Sequence, residues 1–224
     1  MDTKKIITTF KDKQLLQAAF THRSFLNEAK LPVESNERLE FLGDAVLEII
    51  ISEYLFRTYP VYPEGKLTLL RSSIVRTETL ANAARSLDLG SYLRLSKGEE
   101  DNNGRDSVSI LANTYEAFLG ALYLDQGIKA AQRLVKHTLI PLVDRVVKTK
   151  SYRDPKSYLQ ELVQDQQKIT PEYRVLQEEG PDHRKRFTIG VYVNNNQIGI
   201  GKGKSKQEAE INAAEEALKK FVNG

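Results

Sequence analysis

Hydrophobic positions along the first two thirds of the chain recur with helical spacing, whereas the last third mixes helical and strand-like patterns. A short amphipathic run at 13–20 leads into Thr21-His22-Arg23-Ser24. Ser35 and Asn36 offer N-cap chemistry for a long helix starting at Glu37, and Pro60 and Pro63 stop it near residue 59. Residues 65–87 are helix-like with one or two breaks. The segment 97–105, KGEEDNNGR, is polar and glycine-punctuated and reads as a loop. Two further periodic runs, 107–124 and 128–147, read as one helix each. Residues 1–147 are therefore expected to form an all-α domain, with 148–153 as a polar linker. From there the pattern changes. Asp154 caps a helix opened by Pro155 and running to about residue 167. Strand-like runs follow at 172–177, 186–193 and 197–203, the last two joined through Asn194, Asn195 and Asn196. Ser205 caps a final helix. The order α-β-β-β-α makes 154–224 a small α+β domain.

The most informative stretch is NERLEFLGDAVL, residues 36–47. With Glu37 at zero and about 100° per residue, Glu40 falls near −60° and Asp44 near −20°. Three carboxylates thus share one face. Leu39, Leu42, Val46, Ile49 and Ile50 fall between roughly 120° and 220°, which predicts the buried face. Two readings are open: a solvated acidic face, or a site where a divalent cation relieves the crowding. Phe41 and Gly43 stand between the acids, where a merely soluble face would carry more polar residues, and this favours a site.

Composition narrows the chemistry. The 224 residues contain no cysteine and three histidines, which excludes disulfides, thiol nucleophiles and zinc–thiolate centres. Carboxylate sites remain, and these favour Mg²⁺ or Mn²⁺. A net charge of +3 does not announce a polyanionic partner by itself. There is no signal-like N-terminus and no apolar run of membrane-spanning length, which predicts a cytoplasmic protein with no membrane partner.

NERLEFLGDAVL, the upstream THRS and SILANTYEAFLGALYLD at 109–125 together resemble bacterial ribonuclease III. The C-terminal unit, with GPDHRKRF and GKGKSKQEAEINAAEEAL, resembles that family's double-stranded-RNA-binding domain. The likeness spans nearly the whole chain in the family's own order. It implies a homodimeric, Mg²⁺-dependent endonuclease (Mn²⁺ able to substitute) that leaves 5′-phosphate and 3′-hydroxyl ends with a short 3′ overhang, and that processes structured ribosomal and messenger RNA precursors. No small-molecule cofactor is implied. By the same resemblance Glu40, Asp44 and Glu116 are metal ligands. Glu37 and Glu64 are supporting acids near the scissile phosphate and the entering strand. Phe41 is the exposed aromatic that plugs a cavity in the partner subunit.

One position departs from the family pattern. Asn113 stands where the family usually has aspartate, three residues before Glu116 and on its face. An amide oxygen can still ligate Mg²⁺ or orient water, but it adds no anionic attraction. Weaker metal binding with retained chemistry is expected. The alternative is a weakly active or non-cleaving RNA-binding dimer. A small-molecule phosphohydrolase would leave the C-terminal pattern without a purpose.

Duplex RNA offers a shallow minor groove lined by 2′-hydroxyls, and phosphates across a deep major groove. Ser157, Gln160, Glu161 and Gln164, on one helical face, match the first minor-groove contact, and His183 in the GPDH loop matches the second. Lys202, Lys204 and Lys206 match the phosphate clamp, where the helix dipole also favours anions. His22 is read as a structural hydrogen-bonding residue rather than a catalytic base.

Overall fold

The computed structural model describes residues 3–29, 33–149, 152–181 and 184–222. The chain divides into two compact units, Met1–Thr149 and Lys150–Gly224. Among the described residues, no helix is long and apolar enough to cross a membrane.

The first unit is helical. Short helices α1 (Thr3–Thr9) and α2 (Lys13–Ala19) precede the 22-residue α3 (Glu37–Thr58). Then come α4 (Glu64–Ile74), α5 (Thr77–Ser86), α6 (Lys97–Asp101) and the 19-residue α7 (Val108–Gln126). Helices α8 (Ile128–Thr138) and α9 (Ile140–Thr149) complete it. Helix α7 is the centre of the unit, buried at nearly every position from Ile110 to Leu122. Phe118 at its middle packs on Phe10 and Phe20, with ring centroids 5.8 and 5.6 Å apart.

The crossing of α3 and α7 places the acids. A Cβ on Gly43 would lie 1.8 Å from the Glu116 carbonyl oxygen, and one on Gly120 would lie 2.4 Å from that of Leu39. Only glycine lets the two backbones meet there. This close approach also corrects the expected buried face of α3. The helix buries Leu39, Gly43, Val46, Leu47, Ile50, Ile51 and Leu55, while Leu42 is half-buried and Ile49 is 62% exposed. The contact centres on the glycine, not on the mean direction of the large side chains, so the stripe is rotated.

Three other expectations change. Residues 97–105 do not form a plain loop: Ser96 Oγ caps α6 by accepting the Glu99 N–H at 3.2 Å, and a 3₁₀ turn covers Gly104–Asp106. Arg105 ties this segment down, donating to the carbonyls of Gly90 (3.0 Å) and Leu93 (2.8 Å) and to the Glu100 carboxylate. Side-chain hydrogen bonds order it where apolar periodicity is absent. The single helix expected over 128–147 is two, because Pro141 lacks an N–H and crowds the preceding turn. Asn36 occupies the N-cap position of α3 without a side-chain cap bond; Ser35 Oγ instead donates to Glu37 Oε2 at 3.0 Å.

The second unit is α10 (Pro155–Gln167), then the antiparallel strands β1 (Glu172–Glu179), β2 (Arg186–Val193) and β3 (Asn196–Gly203) in sheet order β1-β2-β3, then α11 (Lys206–Val222). Asp154 Oδ1 accepts the Ser157 N–H at 2.9 Å, the expected cap. Asn194 and Asn195 turn the β2–β3 hairpin with φ of 50° and 62°, a left-handed pair that asparagine tolerates. Leu159, Val163, Val191, Val193, Ala213, Ala214 and Ala217 form the core. Gly201 sits so close to α11 that a Cβ would be 2.1 Å from the Ala209 carbonyl oxygen. That seats α11 flat on β3 and fixes where its N-terminus emerges.

Candidate active site and duplex-binding surface

The α3–α7 crossing opens into a cavity of about 630 Å³ whose wall includes Glu37, Glu40, Asp44, Asn113 and Glu116. Along the buried middle of α7, Asn113 and Glu116 are the two polar positions left half-buried, and both line this cavity. Four of the expected acids and the asparagine are thus brought together from two helices. Glu64 is not. It begins α4, beyond the far end of a helix about 33 Å long, and accepts a 3.0 Å hydrogen bond from Thr68 Oγ1.

The electrostatics are those of crowded, partly desolvated acids. Burial, then the charges of Asp44 and Glu40, push the Glu116 carboxyl up to about 7. Burial and Glu37 also raise Glu40, against a hydrogen bond from Asn113 and the nearby Arg23 charge. Near neutral pH the site therefore retains a proton that a cation would displace. Its donors are hard oxygens on side chains from two elements, the kind a hard divalent cation takes, but among the described residues no three His, Cys, Asp or Glu side chains are grouped closely enough to hold a metal ion as they stand. Glu37 lies at the rim, held by Ser35 and 3.7 Å from the exposed guanidinium of Arg23.

Phe41 projects beside the site with 80% of its surface exposed. Adjoining it is an open groove of about 1000 Å³ with Leu15, Ala18, Leu39, Leu42 and Leu124 in its lining. An exposed ring and a partly apolar groove lie on the same face of one chain.

In the second unit Ser157, Gln160, Glu161 and Gln164 are all exposed along one face of α10. Glu161 accepts a 2.7 Å hydrogen bond from Arg153, whose guanidinium lies 4.7 Å from the Tyr158 ring centre. Lys202 on β3, Lys204 in the bend after it and Lys206 at the start of α11 are all exposed. Glu208 also reaches that helix end: its carboxylate accepts the Lys204 N–H at 2.6 Å, while its own N–H bonds Ser205 Oγ at 3.1 Å. Anions drawn there must share the helix terminus with this carboxylate. His183 lies outside the described residues. Neither Arg23 nor Arg153 is recognisable from the sequence as a neighbour of these surfaces, because each stands in an irregular stretch where no periodicity assigns it a face.

Residues 12–143 match a family model described as Ribonuclease-III-like, and residues 155–221 match the double-stranded RNA binding motif. A protein named Ribonuclease 3 from Lactococcus lactis subsp. cremoris is 51% identical over 213 residues, covering 94% of this chain and 91% of the relative. One of the same name from Bacillus cereus is 49% identical over 219 residues, covering 97% and 89%. Among solved structures, the nuclease domain of ribonuclease III from Campylobacter jejuni superimposes with a TM-score of 0.56 at 41% identity. It covers 62% of this chain and 96% of that one, and its description concerns a region involved in dimer formation.

Proposed function

The chain belongs to the ribonuclease III family and is an endoribonuclease, and from this we propose a Mg²⁺-dependent hydrolysis of double-stranded RNA at the α3–α7 cavity. The observation that carries the reading is the glycine-permitted helix crossing, which sets Glu40 and Asp44 of one helix beside Asn113 and Glu116 of the other. It does so in a chain that also bears a double-stranded RNA binding motif.

In this reading Glu40, Asp44, Asn113 and Glu116 hold Mg²⁺, or Mn²⁺ in its place. When bound, the cation supplies a Lewis acid and lowers the pKa of water. Asp44 and Glu116 give the anionic anchor from two helices. Asn113 donates to Glu40 and leaves its amide oxygen for the cation or an ordered water. Glu37, at the rim, is a supporting acid toward the entering strand. Glu64 lies outside its own chain's cavity, so its role requires the partner subunit or the bound duplex. The oxygen of water attacks phosphorus and the P–O3′ bond breaks, giving a 5′-phosphate and a 3′-hydroxyl on each strand.

The RNA is gripped by Ser157, Gln160, Glu161 and Gln164 in one minor groove, by His183 in the next and by Lys202, Lys204 and Lys206 at the phosphates. Phe41 of each subunit enters the partner's groove, a self-complementary two-fold arrangement that yields two sites for two strands. Structured RNA precursors in the cytoplasm are the substrates this grip suits. The non-cleaving alternative gains no support: Asn113 keeps the oxygen donor, and the relatives are ribonucleases by name.

End analysis of a defined RNA duplex cut in Mg²⁺ tests the proposal. Fragments ligatable at a 5′-phosphate and extendable at a 3′-hydroxyl are expected; 2′,3′-cyclic ends would exclude hydrolysis of this kind.

A further inference from the structure

The carboxylates do not account for the whole cavity. His22 and Arg23, which precede α3 in the chain, line it as well. The His22 ring is held by one nitrogen. Its Nδ1 accepts the Ser24 N–H at 3.3 Å and lies 2.9 Å from Ser24 Oγ. That hydroxyl in turn accepts the Ser96 N–H at 3.0 Å. A backbone N–H can only donate, so Nδ1 carries no proton, and the single hydroxyl hydrogen of Ser24 is directed to it. Burial holds the ring's pKa below the ordinary histidine value, which favours the neutral imidazole. Its one proton is then on Nε2. Among the described residues the ring's hydrogen bonds are those of Nδ1, which leaves the Nε2–H as the donor the ring offers to the cavity.

We propose that the Nε2–H of His22, with the Arg23 guanidinium beside it, binds a nonbridging oxygen of the RNA phosphate that enters the carboxylate cavity. The assignment rests on the reading of the cavity as the cleavage site. A polyanion approaching four carboxylates needs donors that the carboxylates themselves do not capture. A neutral N–H fits this need better than an imidazolium, which would pair with Glu37 or Glu40 instead. Arg23 is suited to move. Its contact with Glu37 is long, 3.7 Å, and its side chain is 72% exposed, so little holds it in place. The Ser24–Ser96 relay fixes the tautomer before substrate arrives, which is the preorganisation that makes a single donor effective.

His22 also caps the turn at Arg23–Asn27, so a purely structural role is the competing explanation. Two amides separate the nitrogens. In His22→Asn the Oδ1 atom can replace Nδ1 as the cap acceptor while nothing replaces Nε2. In His22→Gln the terminal NH₂ reaches the Nε2 position and the cap is lost. Steady-state cleavage of a long RNA duplex in Mg²⁺ by the full chain is compared for all three proteins, with thermal melting alongside. His22→Asn is expected to lose about ten- to a hundredfold in kcat with little change in KM, and His22→Gln to stay within about fivefold of the unsubstituted chain despite its weaker cap. Full kcat in His22→Asn, or equal loss in both variants, overturns the assignment. If the unsubstituted chain itself fails to cut the duplex, the proposed function falls and this inference with it. If that chain and His22→Asn cut equally, only the inference falls.

Discussion

Glu116 combines burial with like charge, and both act on its proton in the same direction. The folded state holds that proton up to about pH 7, against an ordinary value of 4.5. The unfolded chain binds fewer protons across that interval, so the group's contribution to stability is full below about pH 4.5 and is lost as pH rises through 7. In EDTA, urea denaturation should show Glu116→Gln gaining on the unsubstituted chain as pH increases. The gap should reach on the order of 2 kcal/mol by pH 8 after allowance for partial solvation. Saturating Mg²⁺ should close the gap, because the cation replaces the proton in the unsubstituted site. Parallel pH curves in EDTA would contradict the account. Asn113 makes the complementary case. Asn113→Asp exchanges the hydrogen bond to Glu40 for a further charge. It should lower stability in EDTA, yet reduce the Mg²⁺ concentration for half-maximal cleavage by about tenfold. A titration giving equal midpoints would deny Asn113 a place at the metal. The acids of α3 were legible in the sequence, because spacing sets which residues share a helix face, whereas Glu116 on α7 entered only through the family resemblance. Their partners Arg23 and His22 were not legible, since only the tertiary fold carries that turn to the cavity.

Among the elements, the α3–α7 crossing depends on two glycines more than on any apolar side chain. Gly43→Ala would drive a methyl group into the Glu116 carbonyl, which neither helix can yield without moving a ligand. A stability loss above about 3 kcal/mol by urea denaturation is expected, well beyond the roughly 1 kcal/mol that alanine gains over glycine in an exposed helix. A neutral or stabilising result would mean that the helices are not in backbone contact. The same crossing explains what periodicity missed. Reading α3 by its large apolar residues points its buried face toward Ile49, but the contact runs through Gly43, a residue that a hydrophobicity pattern does not count. Ile49 and Phe56 are left 62% and 71% exposed. By contrast, α10, the three strands and α11 matched their sequence signals closely. There the cues are local: Asp154 before Pro155, the asparagine turn, and Ser205 three residues before Glu208.

For the whole molecule, two units divide the work between cutting and holding. Phe41 and the groove beside it share one face, so Phe41→Ala should shift the full chain from dimer to monomer in sedimentation analysis. An unchanged dimer would remove Phe41 from the interface. In the second unit, replacing Lys204 and Lys206 by alanine should weaken duplex binding uniformly across sequences and lower the salt slope by about 2, one for each lost phosphate contact. In the proposed function, carboxylates from α3 and α7 cut double-stranded RNA through a shared divalent cation. Its most direct test is the incubation of a long RNA duplex with the unsubstituted chain and with Glu116→Gln, each in Mg²⁺ and in EDTA. Cleavage only by the unsubstituted chain in Mg²⁺, with duplex binding retained by both proteins, is the predicted result. Cleavage in EDTA, or equal cleavage by Glu116→Gln in Mg²⁺, would contradict it.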